Sequence, residues 1–331
     1  MPRTAKGISE VTVWPALAHY WHPVAYSHEI TDKPFPSTVL GEQIVVCRLG
    51  EKTSAFSDLC IHRGTPMSLG RIEGEQIVCA YHGWSYDAEG KCTRIPSIPP
   101  DHPIPKKARL TRYPAHDRYG MVWVCLSDEP RAPIPEYPAY EDLEYHVVIR
   151  DSGIWKCGAA RAIENFIDLA HFSWIHEGIL GDREHTLTPE MITERRGEVL
   201  HFHCDCYPDR LHPVSHRRNY RLARPFSIYN WKEEPDGRHE VLVFTCTPHA
   251  ESECTWFFMI ARNYDPDPGK GEGEGQENLY KVILEQDQAI VERQRPEALP
   301  LDLTEELHVK GPDAIALEYR RFLGELGVDV K

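Results

Sequence analysis

Residues 60–84 read CIHRGTPMSLGRIEGEQIVCAYHGW. Two Cys-His couples, Cys60-x-His62 and Cys79-x-x-His82, stand sixteen residues apart in the pattern C-x-H-x16-C-x2-H. Thiolates and imidazoles packed this closely are metal ligands by type and spacing. A structural zinc site also uses Cys2His2, and it is the rival reading. Ligand order separates the two. A zinc finger pairs its Cys in a hairpin and its His on a helix, whereas here each half offers one Cys and one His from a loop between strands. That mixed order suits a [2Fe–2S] cluster with two thiolates on one iron and two imidazoles on the other. Neutral imidazoles in place of charged thiolates raise the reduction potential, so such a cluster accepts electrons from a low-potential donor. Arg63-Gly64 and Gly83-Trp84 fall where a tight loop must wrap the cluster and exclude water.

Cys60-Ile-His-Arg-Gly64 and Cys79-Ala-Tyr-His-Gly-Trp-Ser-Tyr-Asp87 resemble the cluster loops of Rieske non-haem iron oxygenases. The resemblance implies a second, mononuclear Fe(II) in the C-terminal half. Such a centre needs two His and one carboxylate on one face, leaving positions open for O2. The candidate is Glu164-Asn-Phe-Ile-Asp-Leu-Ala-His-Phe-Ser-Trp-Ile-His176. Read as a helix, it puts Asn165, Asp168 and His171 near one face at i, i+3 and i+6. His176 would point elsewhere on a continuing helix, and Gly178 and Gly181 mark a break. Either histidine alone would read as a buried or capping residue. The resemblance takes the third ligand from the penultimate helix, where Asp287 lies in Ile283-Leu-Glu-Gln-Asp-Gln-Ala-Ile-Val-Glu-Arg-Gln294. Glu285 and Glu292 are alternatives. Asp287 shares a stripe with Ile283, Ile290, Val291 and Gln294, which favours it as inward-facing. The family's conventional Glu-Asp pair stands here as Gln286-Asp287. By the same resemblance, Asp168 links His171 to the cluster residue His82 of a neighbouring subunit. Asn165 lies near the iron without being a firm ligand, and the chains form a head-to-tail ring, generally a homotrimer.

The chain has 331 residues, 41% of them hydrophobic, enough for two domains with buried cores. No run of eighteen apolar residues occurs, and the N-terminus carries neither an apolar signal core nor a cleavage pattern. A net charge of −14 argues against nucleic acid or an anionic membrane as partner. Ten Cys without an export signal read as reduced thiols and metal ligands, which points to the cytoplasm. The expected class is α+β: an all-β cluster domain, then an α+β catalytic domain, which the resemblance implies is a START-like helix grip with its antiparallel sheet curled around a long helix. The expected partition is an N-terminal segment 1–39, a cluster domain 40–126, a Pro-rich linker 127–145 and a catalytic domain 146–331. Within the last, helices are expected at Ala159–Phe172, Glu277–Arg295 and from Pro312 to about Leu326. Strands fill most of the stretch from Glu198 to Asn263, and Gly269–Gly275 reads as a mobile loop.

No flavin, nicotinamide or plant-type ferredoxin motif is present. Electrons must therefore come from a separate reductase or ferredoxin, and indirectly from NAD(P)H. Trp174-Ile-His-Glu-Gly-Ile-Leu-Gly-Asp182 and Tyr319–Gly327 resemble single-subunit monooxygenase components, among them toluenesulfonate and O-demethylating monooxygenases and hydroxylases of the shellfish-toxin pathway. The resemblance implies a terminal oxygenase that hydroxylates or demethylates a small aromatic or heterocyclic substrate with O2. The rivals are a cis-dihydroxylating dioxygenase on the same scaffold and an electron carrier without oxygenase activity. Tyr220, Phe226, Tyr229, Trp231, Thr245, Thr247, Phe257 and Met259 are candidate cavity residues, with Arg221 or Arg224 for an anionic substrate group. His201-Phe-His-Cys-Asp-Cys206, with His212 and His216, looks like a third metal site. Strand alternation nonetheless turns its His and Cys to opposite faces. Cys47, Cys92, Cys125, Cys157, Cys246 and Cys254 read as small core residues.

Overall fold

A computed structural model of the chain describes residues 15–208, 214–233, 236–264 and 272–326. The chain divides into two compact units between Ile134 and Pro135.

The first unit is built from eleven short strands: β1 (His22–Tyr26), β2 (Phe35–Val39), β3 (Glu42–Leu49), β4 (Lys52–Ser57), β5 (Arg71–Glu73), β6 (Gln76–Val78), β7 (Ser85–Tyr86), β8 (Cys92–Arg94), β9 (Arg112–Tyr113), β10 (Ala115–Arg118) and β11 (Met121–Val124). They form three antiparallel sheets, ordered β1-β11-β10, β2-β3-β4-β9 and β5-β6-β7-β8. Two hairpins close through two-residue turns in which both residues have positive φ: Leu40-Gly41 between β2 and β3, and Tyr119-Gly120 between β10 and β11. That geometry matches the right-handed twist of the flanking strands. Val45, Phe56, Met67, Ile77 and Tyr86 are fully buried in one core, and Cys60 and Cys79 sit in it at 2% and 1% exposure. The cluster loops therefore grow out of a rigid apolar base.

The second unit holds one seven-stranded antiparallel sheet: β12 (His146–Trp155), β13 (Ile192–Arg196), β14 (Val199–Cys206), β15 (His216–Ala223), β16 (Ser227–Glu233), β17 (His239–Ala250) and β18 (Glu253–Arg262). Its order is β12-β18-β17-β16-β15-β14-β13, a meander whose first strand closes against its last. Four helices accompany it: α1 (Ala159–Ile167), α2 (Phe172–Ile175), α3 (Glu272–Val291) and α4 (Ala314–Gly324). Helix α1 packs on β17 and β18 and touches α3 and α4. On β15, His216, Arg218, Tyr220 and Leu222 are buried while the residues between them are more exposed, the period-two pattern of a sheet with one covered face. The architecture is α+β, as the sequence implies.

Several helix boundaries differ from expectation, α4 beginning at Ala314 where Pro312 is expected. Helix α1 ends at Ile167, not Phe172, because Asp168 turns extended (φ −78°, ψ 125°) and its Oδ1 accepts the Ala170 N–H at 2.8 Å. Asp competes in this way with helical hydrogen bonding. Asn165, Asp168 and His171 thus do not share one helical face. Helix α3 begins at Glu272, inside the stretch expected to be a loop, while 269–271 lie outside the described residues. It ends at Val291, short of Arg295. Among the described residues no helix is long and apolar enough to cross a membrane.

Candidate metal centres

Both cluster loops in the first unit are closed the same way. The Cys60 N–H donates to the Thr65 carbonyl at 2.8 Å, and the Cys79 N–H to the Trp84 carbonyl at 2.9 Å. The Gly64 and Gly83 N–H groups donate back to Cys60 and Cys79 at 2.9 and 3.0 Å. Both glycines lie in the left-handed region, at φ +71° and +68°, where a side chain would be strained. Each loop so presents a Cys from the core and a His toward the surface. The His62 and His82 rings meet edge to face at 4.5 Å, and Trp84 stacks on His62 at 4.5 Å and 7°. His62 Nδ1 is buried with no hydrogen-bond partner, an orphan that a metal satisfies. Burial, then the neighbouring His82 and Arg63, hold the His62 pKa below its ordinary value, which keeps the ring neutral as a ligand must be. Tyr86 Oη lies 3.3 Å from Cys60 Sγ. Burial and that contact hold the phenol well above its usual pKa, so it remains a donor. The chemistry of this donor set and its orphaned nitrogen fit a [2Fe–2S] cluster.

In the second unit, His171 and His176 bracket the single turn of α2, at its N-cap and C-cap. Their five-residue spacing around one turn brings the rings to 5.0 Å and the Nε2 atoms to 3.2 Å. Asp287, on α3 and 3% exposed, places Oδ1 3.1 Å from His176 Nε2 and 3.5 Å from His171 Nε2. The three ligand atoms lie within 4.8 Å of one another. The far side of each ring meets an acceptor. His171 Nδ1 lies 3.2 Å from Asp168 Oδ2, and His176 Nδ1 lies 2.8 Å from Gln286 Oε1. With a proton on each Nδ1, both Nε2 atoms would turn lone pairs toward Asp287 Oδ1, which is buried without a donor. Three acceptors facing one another with no proton between them repel unless a cation sits among them. The arrangement fits a 2-His-1-carboxylate iron site.

A cavity between the sheet and α3 opens beside these atoms. Phe166, Phe172, Leu180, Ile283 and Leu284 give it an apolar side, while Arg218, Tyr220, Asn230 and Lys232 give the strands a polar one. Behind that wall, Glu240 accepts from Lys232 at 2.9 Å, Tyr280 at 2.8 Å and Arg262 at 2.6 Å. These donors compensate a carboxylate that is only 5% exposed.

The chain matches the Rieske [2Fe-2S] domain over residues 20–114 and the vanillate O-demethylase oxygenase C-terminal domain over residues 155–328. It belongs to the Rieske non-haem iron oxygenases. Methylxanthine N1-demethylase NdmA of Pseudomonas putida is 31% identical over 94% of this chain and 89% of its own length. The structure of that enzyme with caffeine superposes with a TM-score of 0.85 at 29% identity, covering 94% of this chain and 91% of that one. Dicamba monooxygenase, at 20% identity and a TM-score of 0.81, shares the fold. This Rieske oxygenase is therefore a terminal oxygenase component, dependent on O2 and on reductase-supplied electrons. It carries a Rieske cluster and a mononuclear iron and acts on small aromatic or heterocyclic substrates. Family membership removes the electron-carrier reading.

Several expectations about this site change. Among the candidate cavity residues, Tyr220 lines the cavity beside His171, His176 and Asp287, while Phe226, Tyr229, Trp231, Thr245, Thr247, Phe257 and Met259 are not among its lining residues. Arg221 falls on the other face of β15, over the Tyr229 ring at 4.5 Å. Arg224 is engaged by Glu198 at 3.3 Å and Glu325 at 2.7 Å. The cations in the cavity wall are Arg218 and Lys232, which strand alternation from Tyr220 could have located. Ile290 is 42% exposed and leaves the Asp287 stripe, and Glu285 faces solvent. Glu292 accepts the Lys156 N–H at 2.9 Å instead. Cys204 Sγ approaches Cys206 Sγ at 3.6 Å, while His201 and His203 line a groove with Arg221 and Trp231, so no third metal site forms among the described residues. His212 lies outside the described residues. Two residues with a part in the site, Tyr86 and Gln286, had no role assigned from sequence.

Proposed function

We propose that His171, His176 and Asp287 hold the Fe(II) and that Cys60, His62, Cys79 and His82 hold the cluster. The cluster part would span residues 40–126 and the catalytic part 146–331, joined by 127–145. The observation that carries the iron assignment is the convergence of His171 Nε2, His176 Nε2 and Asp287 Oδ1 beside a cavity. When bound, the two centres store single electrons and activate O2. Around them, Asp168 and Gln286 orient the two imidazoles. Asn165 offers a buried Nδ2 that no protein acceptor meets, so it can donate to a bound ligand. Phe166, Phe172 and Ile283 keep water from the reacting carbon.

The substrate we infer is a flat ring bearing an N- or O-methyl group and at least one hydrogen-bond acceptor. Support comes from the apolar side of the cavity, the donors Arg218 and Tyr220 opposite, and the methylxanthine chemistry named for NdmA. The reaction inserts one oxygen atom of O2 into a methyl C–H bond. The other atom leaves as water after two electrons and two protons are taken up. A hydroxymethyl group on N or O then collapses to formaldehyde and the free N–H or O–H.

We further propose a homotrimer in which Asp168 faces His82 of the next subunit. Asp168 keeps one oxygen on His171 while its side chain is 36% exposed. His82 is exposed, and Leu59, Ile61, Leu69 and Tyr81 in and near the cluster loops are exposed apolar residues at 47–67%. Such a patch suits burial against another chain. The eight cysteines besides the cluster ligands Cys60 and Cys79 form no disulfide, which supports a reducing compartment, the cytoplasm.

A single turnover tests the reaction. The protein is reduced, freed of reductant, mixed with methylated heterocycles and aromatics, and exposed to ¹⁸O2. One labelled oxygen on a hydroxylated carbon, or formaldehyde equal to substrate lost, is expected. Two labels on adjacent ring carbons would replace demethylation by dihydroxylation. Mixing a Cys60→Ser chain with an Asp287→Ala chain tests the ring: activity returns only if electrons cross between subunits.

A further inference from the structure

The same helix touches both edges of one imidazole. From α3, Asp287 Oδ1 lies 3.1 Å from His176 Nε2, while its neighbour Gln286 places Oε1 2.8 Å from His176 Nδ1. His176 is fully buried, so its ring nitrogens have no water to turn to. We propose that Gln286 is the positioning residue that keeps His176 competent to bind metal, and that it does so by choosing the ring's tautomer with a neutral acceptor.

The reasoning turns on a competition inside the site. A neutral imidazole carries one proton, on Nδ1 or on Nε2. If it sits on Nε2, that N–H points into the site, 3.2 Å from His171 Nε2 and 3.1 Å from Asp287 Oδ1. A proton held there closes the site to a cation. An acceptor at Nδ1 selects the opposite tautomer, leaving the Nε2 lone pair directed at Asp287 and His171. Gln286 Oε1 is that acceptor, at a shorter distance than the competing contact. His171 is handled differently, since Asp168, a carboxylate, backs its Nδ1 at 3.2 Å. One histidine is thus backed by a charge and the other by an amide. The amide fixes orientation without adding a third negative charge to a pocket that already holds Asp287 and Asp168. A glutamate at 286 would keep the acceptor, add that charge, and strengthen the imidazole as a donor to the metal.

This inference rests on the iron-site assignment above, and the test separates the two. Apo-protein variants are titrated anaerobically with Fe(II), and with Co(II), whose visible spectrum reports ligand number and geometry. Far-ultraviolet circular dichroism and a thermal melt confirm that each variant is folded. Gln286→Leu keeps the side chain's bulk but removes the acceptor. Its metal affinity is expected to fall by about 10–100-fold, with an altered Co(II) spectrum. Gln286→Glu restores the acceptor and is expected to bind both ions at least as tightly as the natural chain, rescuing the Co(II) spectrum. A side chain that merely fills space would show no such split between Leu and Glu. If Asp287→Ala loses metal but Gln286→Leu binds it unchanged, the role of Gln286 is overturned and the iron site stands. Should Gln286→Leu fail to fold, a Gln286→Glu chain that loses metal as completely as Asp287→Ala overturns it too. Full affinity in Asp287→Ala overturns the iron site and this inference together.

Discussion

His171 and His176 hold their Nε2 atoms 3.2 Å apart, facing each other and the buried Asp287 carboxylate, whose Oδ1 accepts no hydrogen bond. Asp287→Ala removes the only charged member of that set. Iron content should drop from about three to about two atoms per chain while the cluster spectrum is retained. Metal analysis beside visible absorption checks this, and three irons in the variant would refute the assignment.

Tyr86 gives Cys60 a hydrogen bond from inside the core. Hydrogen bonds to cluster sulfurs favour the reduced, more negative state. Tyr86→Phe should therefore lower the cluster potential, by about 60 mV if the differential bond is worth about 1.4 kcal/mol. Redox titration followed by electron paramagnetic resonance measures it; an unchanged potential means the contact tunes nothing.

Asp168→Asn tests the other end of the His171 hydrogen bond. The amide can still accept from Nδ1 but no longer carries charge. Turnover should fall at least about 10–100-fold with both metal centres still loaded. Loss of iron instead would recast Asp168 as a structural support for His171.

His22 is 1% exposed, and its Nε2 donates to the Leu17 carbonyl at 2.9 Å. Burial lowers its pKa to about 4 from the usual 6.5. The ring is neutral when folded, so between these values the unfolded chain binds more protons. Its contribution is complete above pH 6.5, declines as pH falls, and is lost by about pH 4, a change of about 3 kcal/mol. His22→Gln should flatten this part of the stability profile, read from denaturant melts at pH 7.5 and 4.5. Parallel profiles would exclude His22 as the source.

Arg320, 2% exposed on α4, donates to Glu164 at 2.6 and 2.7 Å and to Glu306 at 2.6 Å. Glu306 also accepts from Arg161. This network ties α1, which carries Asn165, to α4. Arg320→Met leaves a half-buried carboxylate uncompensated and should cost about 3–5 kcal/mol. A loss under about 1 kcal/mol in thermal or denaturant unfolding would show the network to be dispensable.

How much of this was legible in the sequence depended on the range of the interaction. The cluster loops could be read because, within each, the ligands, the glycine and the closing hydrogen bonds fall in a stretch of six residues. His171 and His176 were legible as a pair, but their meeting around one turn was not. That required the helix to break at Asp168, whose side chain captures the Ala170 N–H in place of another helical turn. Asp287 was identified through resemblance, and its stripe was only partly right because Ile290 faces outward. Gln286 and Arg218 act through contacts 110 and 46 residues from His176 and Phe172, and no local pattern announces such distances. Arg221 and Arg224 were chosen from residue type alone, where strand alternation would have selected Arg218.

The meander that closes β12 against β18 also imposes a timetable. The cluster loops and their core are complete once Leu110 has been made, whereas Asp287 follows about 180 residues later. At ordinary synthesis rates, about 5–20 residues per second, that gap is about 9–36 s. Between the making of His176 and that of Asp287, the nascent chain owns a finished berth for one metallic cargo and only two-thirds of the other. Soft thiolates are on offer before the carboxylate that completes the second site exists. Order of synthesis can thus help sort which iron goes where, before either site has to discriminate by affinity.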